Sequence, residues 1–319
     1  MNTEVGNGSH VLKIKKSGKS LTRRSNIEWT VLIAPAILLI MLFNYVPMFG
    51  LVIAFQNFNA IDGIFGSPWV GFRNFEFFFT SQDAWRITWN TLFLNSVFIV
   101  TGLVFQVTLA LLLYEVKKKF FIKTYQTVMI LPHFISWVIA AYMLYAFLNP
   151  AHGVANATLV RFGFEPIAWY HRPELWPWIL TISNLWKTAG IGCIMYYAAL
   201  MGIDPTYYEA AQIDGATKWQ SIRHISIPML KPIMIIMTIL ALGGIFRADF
   251  GMFFQLTRDS GLLYRTTDVI DTYIFRALRT IGNPGMSAAV GLYQSVIGFI
   301  CILSANFAVR KIEPDSALF

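Results

Sequence analysis

The chain of 319 residues is 56% hydrophobic and only 13% charged, with a mean hydropathy of +0.55. A soluble domain carries about 25% charged residues, so this composition excludes an ordinary soluble protein and marks an integral membrane protein. The net charge of +8 does not mark a nucleic-acid binder, because the lysines and arginines gather beside apolar runs, as orienting charges do.

Residues 1–28 form a basic tail with Lys13, Lys15, Lys16, Lys19, Arg23 and Arg24. The apolar run that follows, Trp29 to Phe55, is too long for a signal-peptide core and lacks an Ala-x-Ala cleavage site. It is therefore predicted to be a retained first span, with kinks at Pro35 and Pro47. Further spans are predicted over 88–115, 123–148, 175–201, 230–249 and 286–310. The expected fold is an all-α, six-span transmembrane domain over 29–311 with a short tail over 312–319.

Charge sets the expected orientation. With the amino terminus inside, fifteen basic residues flank cytoplasmic ends and nine, all arginine, flank external ones. Both termini are thus expected in the cytoplasm. The external segments, 56–87, 149–174 and 250–285, are rich in aromatics, among them Phe58, Phe65, Trp69, Phe72, Trp85, Trp169 and Tyr170. Most of these rings suit an interfacial belt, and a docking surface for an external partner is the sharper reading. Cys193 and Cys301 stand alone in apolar spans, where packing is their ordinary use.

Lys187 is the one lysine away from the cytoplasmic flanks, deep in the fourth span. Ionisable groups at such depth usually face a bundle interior or an aqueous cavity. Asn184 and Trp186 beside it supply a hydrogen-bonding group and a stacking face, a combination that suits sugars; Gly190 and Gly192 allow close helix approach. The competing reading is a helix-to-helix hydrogen bond from the lysine. Gln294 and Ser295 in the sixth span are further path candidates, or polar glue between helices. Arg247 and Asp249 read as an interfacial ion pair or part of an external gate, and His133 as a packed, hydrogen-bonded histidine.

No catalytic constellation stands out. Gly18-Lys19-Ser20 ends like a phosphate-binding loop, but Lys13 occupies the position of its first glycine. No G-x-S-x-G or H-E-x-x-H is present, and no metal or cofactor is expected on this chain.

The organising stretch is the polar segment 202–229 between the fourth and fifth spans. Asp204 can cap a short helix beginning near Pro205, Gly215 can break it, and Pro228 and Pro232 are expected to end a second helix. Glu209-Ala210-Ala211, then Gly215, then Ile225-x-Ile227-Pro228 resembles the EAA loop of permease subunits in binding-protein-dependent ABC importers. The resemblance extends to Asn44–Gly50, Gly66–Phe72, Leu131–Val138, Asp268–Tyr273 and Ala289–Gly298, which look like the lipo-oligosaccharide and polygalacturonan-type branch. One departure is Thr257-Arg258-Asp259-Ser260-Gly261, where many sugar permeases carry Thr-x-Gly-Gly-Pro.

That resemblance implies a pore subunit rather than an enzyme, in the bacterial cytoplasmic membrane. It implies a second homologous permease, two cytoplasmic ATPase subunits holding ATP and Mg, and an extracytoplasmic sugar-binding lipoprotein. The implied coupling residues are Glu209, Ala210, Ala211, Asp214, Gly215, Ala216, Ile225 and Pro228, with Glu209 meeting a basic ATPase groove. Oligosaccharides are the implied substrate, and Lys187 and Arg247 would suit uronate-containing ones. The rivals are an ion-gradient-driven sugar transporter and an intramembrane enzyme, disfavoured by missing inverted repeats and a missing catalytic set.

Overall fold

The computed structural model describes residues 19–312, and the chain divides into two compact units, Met1–Val52 and Ile53–Phe319. Residues 1–18, with Lys13, Lys15 and Lys16 of the basic tail, and residues 313–319 of the carboxy-terminal tail lie outside the described residues.

In the first unit, helix α1 (Lys19–Ile40) begins ten residues before the predicted span, since no glycine or proline interrupts the sequence before Pro35. It passes Pro35 unbroken. The change of geometry comes at a π turn over Met41–Tyr45 and the 3₁₀ run that starts at Val46. Pro47 lacks the N–H that would reach the carbonyl of Phe43, so a regular α-ladder cannot continue there. The apolar stretch Trp29–Phe55 has large side chains such as Leu32, Phe43 and Phe49 exposed, as a lipid-facing helix requires.

The second unit is a helical bundle. Its principal helices are α2 (Gln82–Tyr114), α3 (Lys119–Phe134), α4 (Trp137–Leu148) and α5 (Trp176–Met201). They are followed by α6 (Thr206–Ile213), α7 (Lys218–Ser221), α8 (Ile227–Gly243), α9 (Phe250–Thr257), α10 (Ile270–Arg279) and α11 (Pro284–Ile312). No strand occurs among the described residues; one isolated bridge pairs Gln56 with Trp69. Helices α2 and α5 make the most extensive pairing, and α3 packs on α5 where Gly190 admits the Met129 backbone. A Cβ at Gly190 would run into the Met129 carbonyl.

Among the described residues, four runs are long and apolar enough to cross a membrane: Trp29–Phe55, Gln82–Tyr114, Lys218–Gly243 and Pro284–Lys311. The predicted third span is instead a broken pair, α3 and α4, bent by 97°. Pro132 weakens the end of α3, and Ser136 starts α4 by accepting a hydrogen bond from the Ile139 N–H at 3.3 Å. The predicted fourth span, α5, has 26 residues, about 39 Å of rise. It is less apolar than the others because Asn184, Lys187 and Thr188 interrupt it.

The segment 250–285, expected as an external connection, folds into short helices that supply much of the core. Met252, Phe253, Leu256, Leu263 and Val269 bury against Leu94, Trp176 and Leu180. Ile270, Tyr273 and Ala277 bury against Phe78, Ile87, Met286 and Val290. A third cluster joins Val107, Ala110 and Leu113 of α2 to Cys193, Tyr196 and Leu200 of α5 and Leu230 of α8; Cys193 is a packing residue there.

Candidate functional site

A cavity of about 620 Å³ opens between α2, α5, α8 and the elbow that joins α8 to α9. Its polar lining comes from Asn95 and Gln106 of α2, Asn184 and Thr188 of α5, Thr238 of α8, and Arg247 and Asp249 of the elbow. Asn95 and Gln106 stand three helical turns apart on α2, about 16 Å, so the cavity presents hydrogen-bonding groups along its depth. Gly192 faces Gln106, and a Cβ there would collide with the Gln106 amide. Such a hollow, mostly apolar with spaced amides and hydroxyls, is the chemistry that binds a polyhydroxy ligand.

The elbow is held from several sides. The Asn95 side-chain amide donates to the carbonyls of Ile245 (2.7 Å) and Arg247 (3.1 Å). Gln294 Nε2 donates to the Phe246 carbonyl (2.6 Å) and to Asp271 Oδ2 (2.9 Å), and the Ala248 N–H donates to the same Asp271 oxygen at 2.7 Å. Burial pushes the Asp271 carboxyl above the usual carboxylate range, against the opposing pull of these hydrogen bonds and of Arg247. Asp249 caps α9 through the Met252 N–H at 3.1 Å and accepts from Trp137 Nε1 at 2.6 Å. Arg247 and Asp249 do not form the predicted ion pair: Asp249 is taken by the α9 cap and the Trp137 indole, and Arg247 lines the cavity.

The sequence-predicted path residues divide. Asn184 lines the cavity. Trp186 lies in a separate apolar hollow with Trp137, Ala140 and Leu256. Lys187 does not reach the main cavity: its ammonium donates to the carbonyls of His133 (3.3 Å) and Ile135, and lies 4.8 Å from the centre of the Trp137 ring. These carbonyls are left over at the carboxy-terminal end of α3, where partial negative charge collects, and a cation satisfies both needs. Lys187 is thus the interhelical bond that seals the α3–α4 corner. His133 is exposed rather than packed. Gln294 is buried behind the elbow, and Ser295 donates to its own helix at the Gly291 carbonyl, so neither lines the cavity.

Lys187→Met should therefore act on the corner. We expect about 1–3 kcal/mol of lost stability from the unsatisfied carbonyls, read as a lower midpoint of thermal unfolding in detergent. An unchanged midpoint with altered sugar selectivity would return Lys187 to the path.

The segment 202–229 forms the expected helix–bend–helix. Asp204 Oδ1 accepts from the Thr206 N–H at 2.9 Å, which holds its carboxyl below the usual range. Helix α6 closes when the Ala216 N–H reaches the Ala211 carbonyl (2.9 Å), with Gly215 in the left-handed region at φ 79°. Thr217 then starts α7 through a reciprocal capping box with Gln220, a signal present in the sequence. Ala211, Asp214, Gly215, Ala216 and Ile225 line one shallow hollow, and Glu209 and Ala210 are exposed on α6. Exposed Tyr207, Ile213 and Trp219 add an apolar surface that the sequence reading had not singled out.

One expectation fails here. Pro228 and Pro232 neither end α7 nor separate it from the next helix; the chain stays helical from Lys218 to Gly243. A π turn over Ile222–Ser226 lies just before Pro228, whose missing N–H interrupts the hydrogen-bond ladder there without ending the helix. Within the loop the Tyr208 and Ser226 hydroxyls stand 2.9 Å apart, and the Tyr114–Tyr208 ring contact and the Lys218–Glu115 pair at 2.5 Å tie it to the bundle.

These features define a class: a helical membrane permease with a largely apolar cavity studded by polar groups and a compact helical loop. The chain belongs to the family of binding-protein-dependent transport system inner membrane components, whose family model matches residues 106–314. It is 32% identical over 311 residues to Protein LplB of Bacillus subtilis, covering 94% of this chain and 97% of that protein. It is 34% identical over 285 residues to YteP, a polygalacturonan/rhamnogalacturonan transport system permease of the same organism, covering 89% and 88%. Among solved structures, it matches the crystal structure of a bacterial ABC transporter involved in import of the acidic polysaccharide alginate. There the TM-score is 0.83 at 35% identity, over 92% of this chain and 99% of that one. A bacterial alginate ABC transporter in complex with an alginate pentasaccharide-bound periplasmic protein matches with TM-score 0.82. The fold is that of a type I importer permease, and family membership sets aside the ion-gradient-driven alternative.

Proposed function

We propose that this chain forms half of the translocation pathway of an ATP-driven oligosaccharide importer. The observation that carries the reading is the cavity between α2, α5 and α8, with amides and hydroxyls spaced along an apolar wall, in a chain that resembles oligosaccharide and polysaccharide permeases almost end to end. In this reading a second permease completes the pore, and an extracytoplasmic binding protein delivers the sugar. Two ATPase subunits, holding ATP and Mg, grip the loop 202–229. Glu209, Ala210, Ala211, Asp214, Gly215, Ala216, Ile225 and Pro228 form the contact, and closing of the ATPases drives the pore from inward- to outward-facing. No chemistry occurs in this subunit.

Six crossings fit if the bent pair α3–α4 counts as one and the more polar α5 as another. The arginine and lysine distribution supports cytoplasmic termini. Single cysteines at Asp62 and Glu165 should label from outside intact cells, and one at Lys218 should not; the opposite pattern would invert the orientation. Transport itself is tested in vesicles. Oligosaccharide uptake should stop without ATP and survive collapse of the proton gradient, whereas uptake that follows the gradient would refute an ATP-driven importer.

A further inference from the structure

We propose that Arg247 reads a carboxylate on the transported oligosaccharide, so that the cavity favours acidic sugars over neutral ones of equal length. This rests on the cavity being the sugar path. Arg247 and Asp249 are the charged residues of the cavity wall. Asp249 is already committed, one oxygen to the Met252 N–H and the other to the Trp137 indole, whose ring lies beside the Lys187 ammonium. Arg247 is in a different position. None of the ion pairs among the described residues uses it. The acidic group it feels, Asp271, is half-buried and turned to the Ala248 N–H and the Gln294 amide.

The backbone beneath Arg247 is fixed before any ligand arrives. Asn95 holds the carbonyls at 245 and 247, Gln294 holds the one at 246, and Asp271 holds the N–H at 248. A clamped elbow places the root of the guanidinium at low entropic cost to binding. A guanidinium on the wall of a largely apolar cavity loses hydration when sugar fills the space. A carboxylate replaces that hydration with two parallel charge-assisted hydrogen bonds; hydroxyls alone replace it poorly. Neutral oligosaccharides are thus disfavoured by the arginine they leave underpaired, as well as by the contact they lack. Fixing the cationic site in the elbow also explains why Lys187, the other cation of this region, is free to serve the α3–α4 corner.

The test uses the complete importer, with its partner permease, ATPases and binding protein, reconstituted in proteoliposomes. The probes are short oligogalacturonates and oligoalginates, each beside its carboxyl-reduced neutral counterpart. Wild type should take up the acidic members at least ~10-fold faster. Arg247→Gln, checked for assembly by co-purification, should bring the acidic-to-neutral ratio close to one. Arg247→Lys, which keeps charge but loses the planar fork, should raise KM for the acidic members several-fold and keep part of the preference. A wild-type preference for the reduced sugars, or an unaltered ratio in Arg247→Gln, overturns the inference and leaves oligosaccharide import standing. If Arg247→Gln does not assemble, an unaltered KM in Arg247→Lys overturns it equally. A wild-type importer that takes up no oligosaccharide at all overturns the import reading, and this inference with it.

Discussion

Glu209→Lys and Gly215→Val are expected to release the ATPase subunits from the permease pair or to leave them hydrolysing ATP without uptake. The two changes act by different physics. Gly215 sits at φ 79°, with open space where a Cβ would point, so the obstacle to valine is backbone strain rather than collision. A β-branched residue in the left-handed region costs at least about 1–2 kcal/mol, and the bend that aligns α6 with α7 is the feature most easily given up to relieve it. Glu209 is exposed, and charge reversal there costs the isolated subunit little. Against a basic groove it replaces attraction by repulsion, an effect of a few kcal/mol at a partly buried interface, or more than 10-fold in affinity. Both variants should still insert and bind the second permease, because neither residue touches the bundle core. Co-purification of the ATPase, together with sugar-stimulated ATP hydrolysis in proteoliposomes, is the measurement. Wild-type attachment and coupling in both would show that the loop does not transmit the ATPase motion.

The second large effect lies at the other end of α2. Asp268 is fully buried; Arg276 reaches its Oδ1 at 2.6 Å and Arg86 its Oδ2 at 3.3 Å, while Thr272 donates to Oδ1 at 2.9 Å. Arg276 also pairs with Asp259 at 3.3 Å and covers the Tyr264 ring. Burial works against the Arg276 charge, but the neighbouring carboxylates prevail and raise its pKa. Arg258 and Asp259 both adopt left-handed backbone angles, at the segment where sugar permeases commonly carry glycine, and these contacts hold Asp259 there. Asp268→Ala would leave two arginines with one carboxylate removed from between them. We expect a loss of about 3–5 kcal/mol, seen as poor yield of the assembled complex or a sharp fall in unfolding midpoint. Asp268→Asn keeps shape and hydrogen bonding and should lose less. Wild-type stability in the alanine variant would mean that the network is not structural.

Much of this molecule was legible as a sequence. Membrane character followed from composition, and the first, second, fifth and sixth helical runs followed from apolar length. The helix and bend at the start of the loop 202–229 followed from local chemistry: a capping aspartate and a glycine that turns left-handed. Such features depend on neighbours within a few residues, so they survive any tertiary arrangement.

What the chain's neighbours in space determine could not be read in this way. The depth of Lys187 is visible in sequence and leaves a path residue and an interhelical bond both open; rotation about the helix and the broken end of α3, which decide between them, are not visible there. The segment 250–285 reads as a connection rich in aromatics, glycine and proline, and only packing shows that its short helices complete two core clusters. Asn95 and Gln106, polar residues inside an apolar run, carried a signal that went unused, and their partners are about 85 to 150 residues distant. Arg247 and Asp249, two residues apart, suggested a pair, but the elbow turns them to different tasks. Local hydrogen bonding and hydropathy determined which stretches are helices. Only packing decided which faces meet, and with that which polar groups open on the cavity and which are spent holding it in shape.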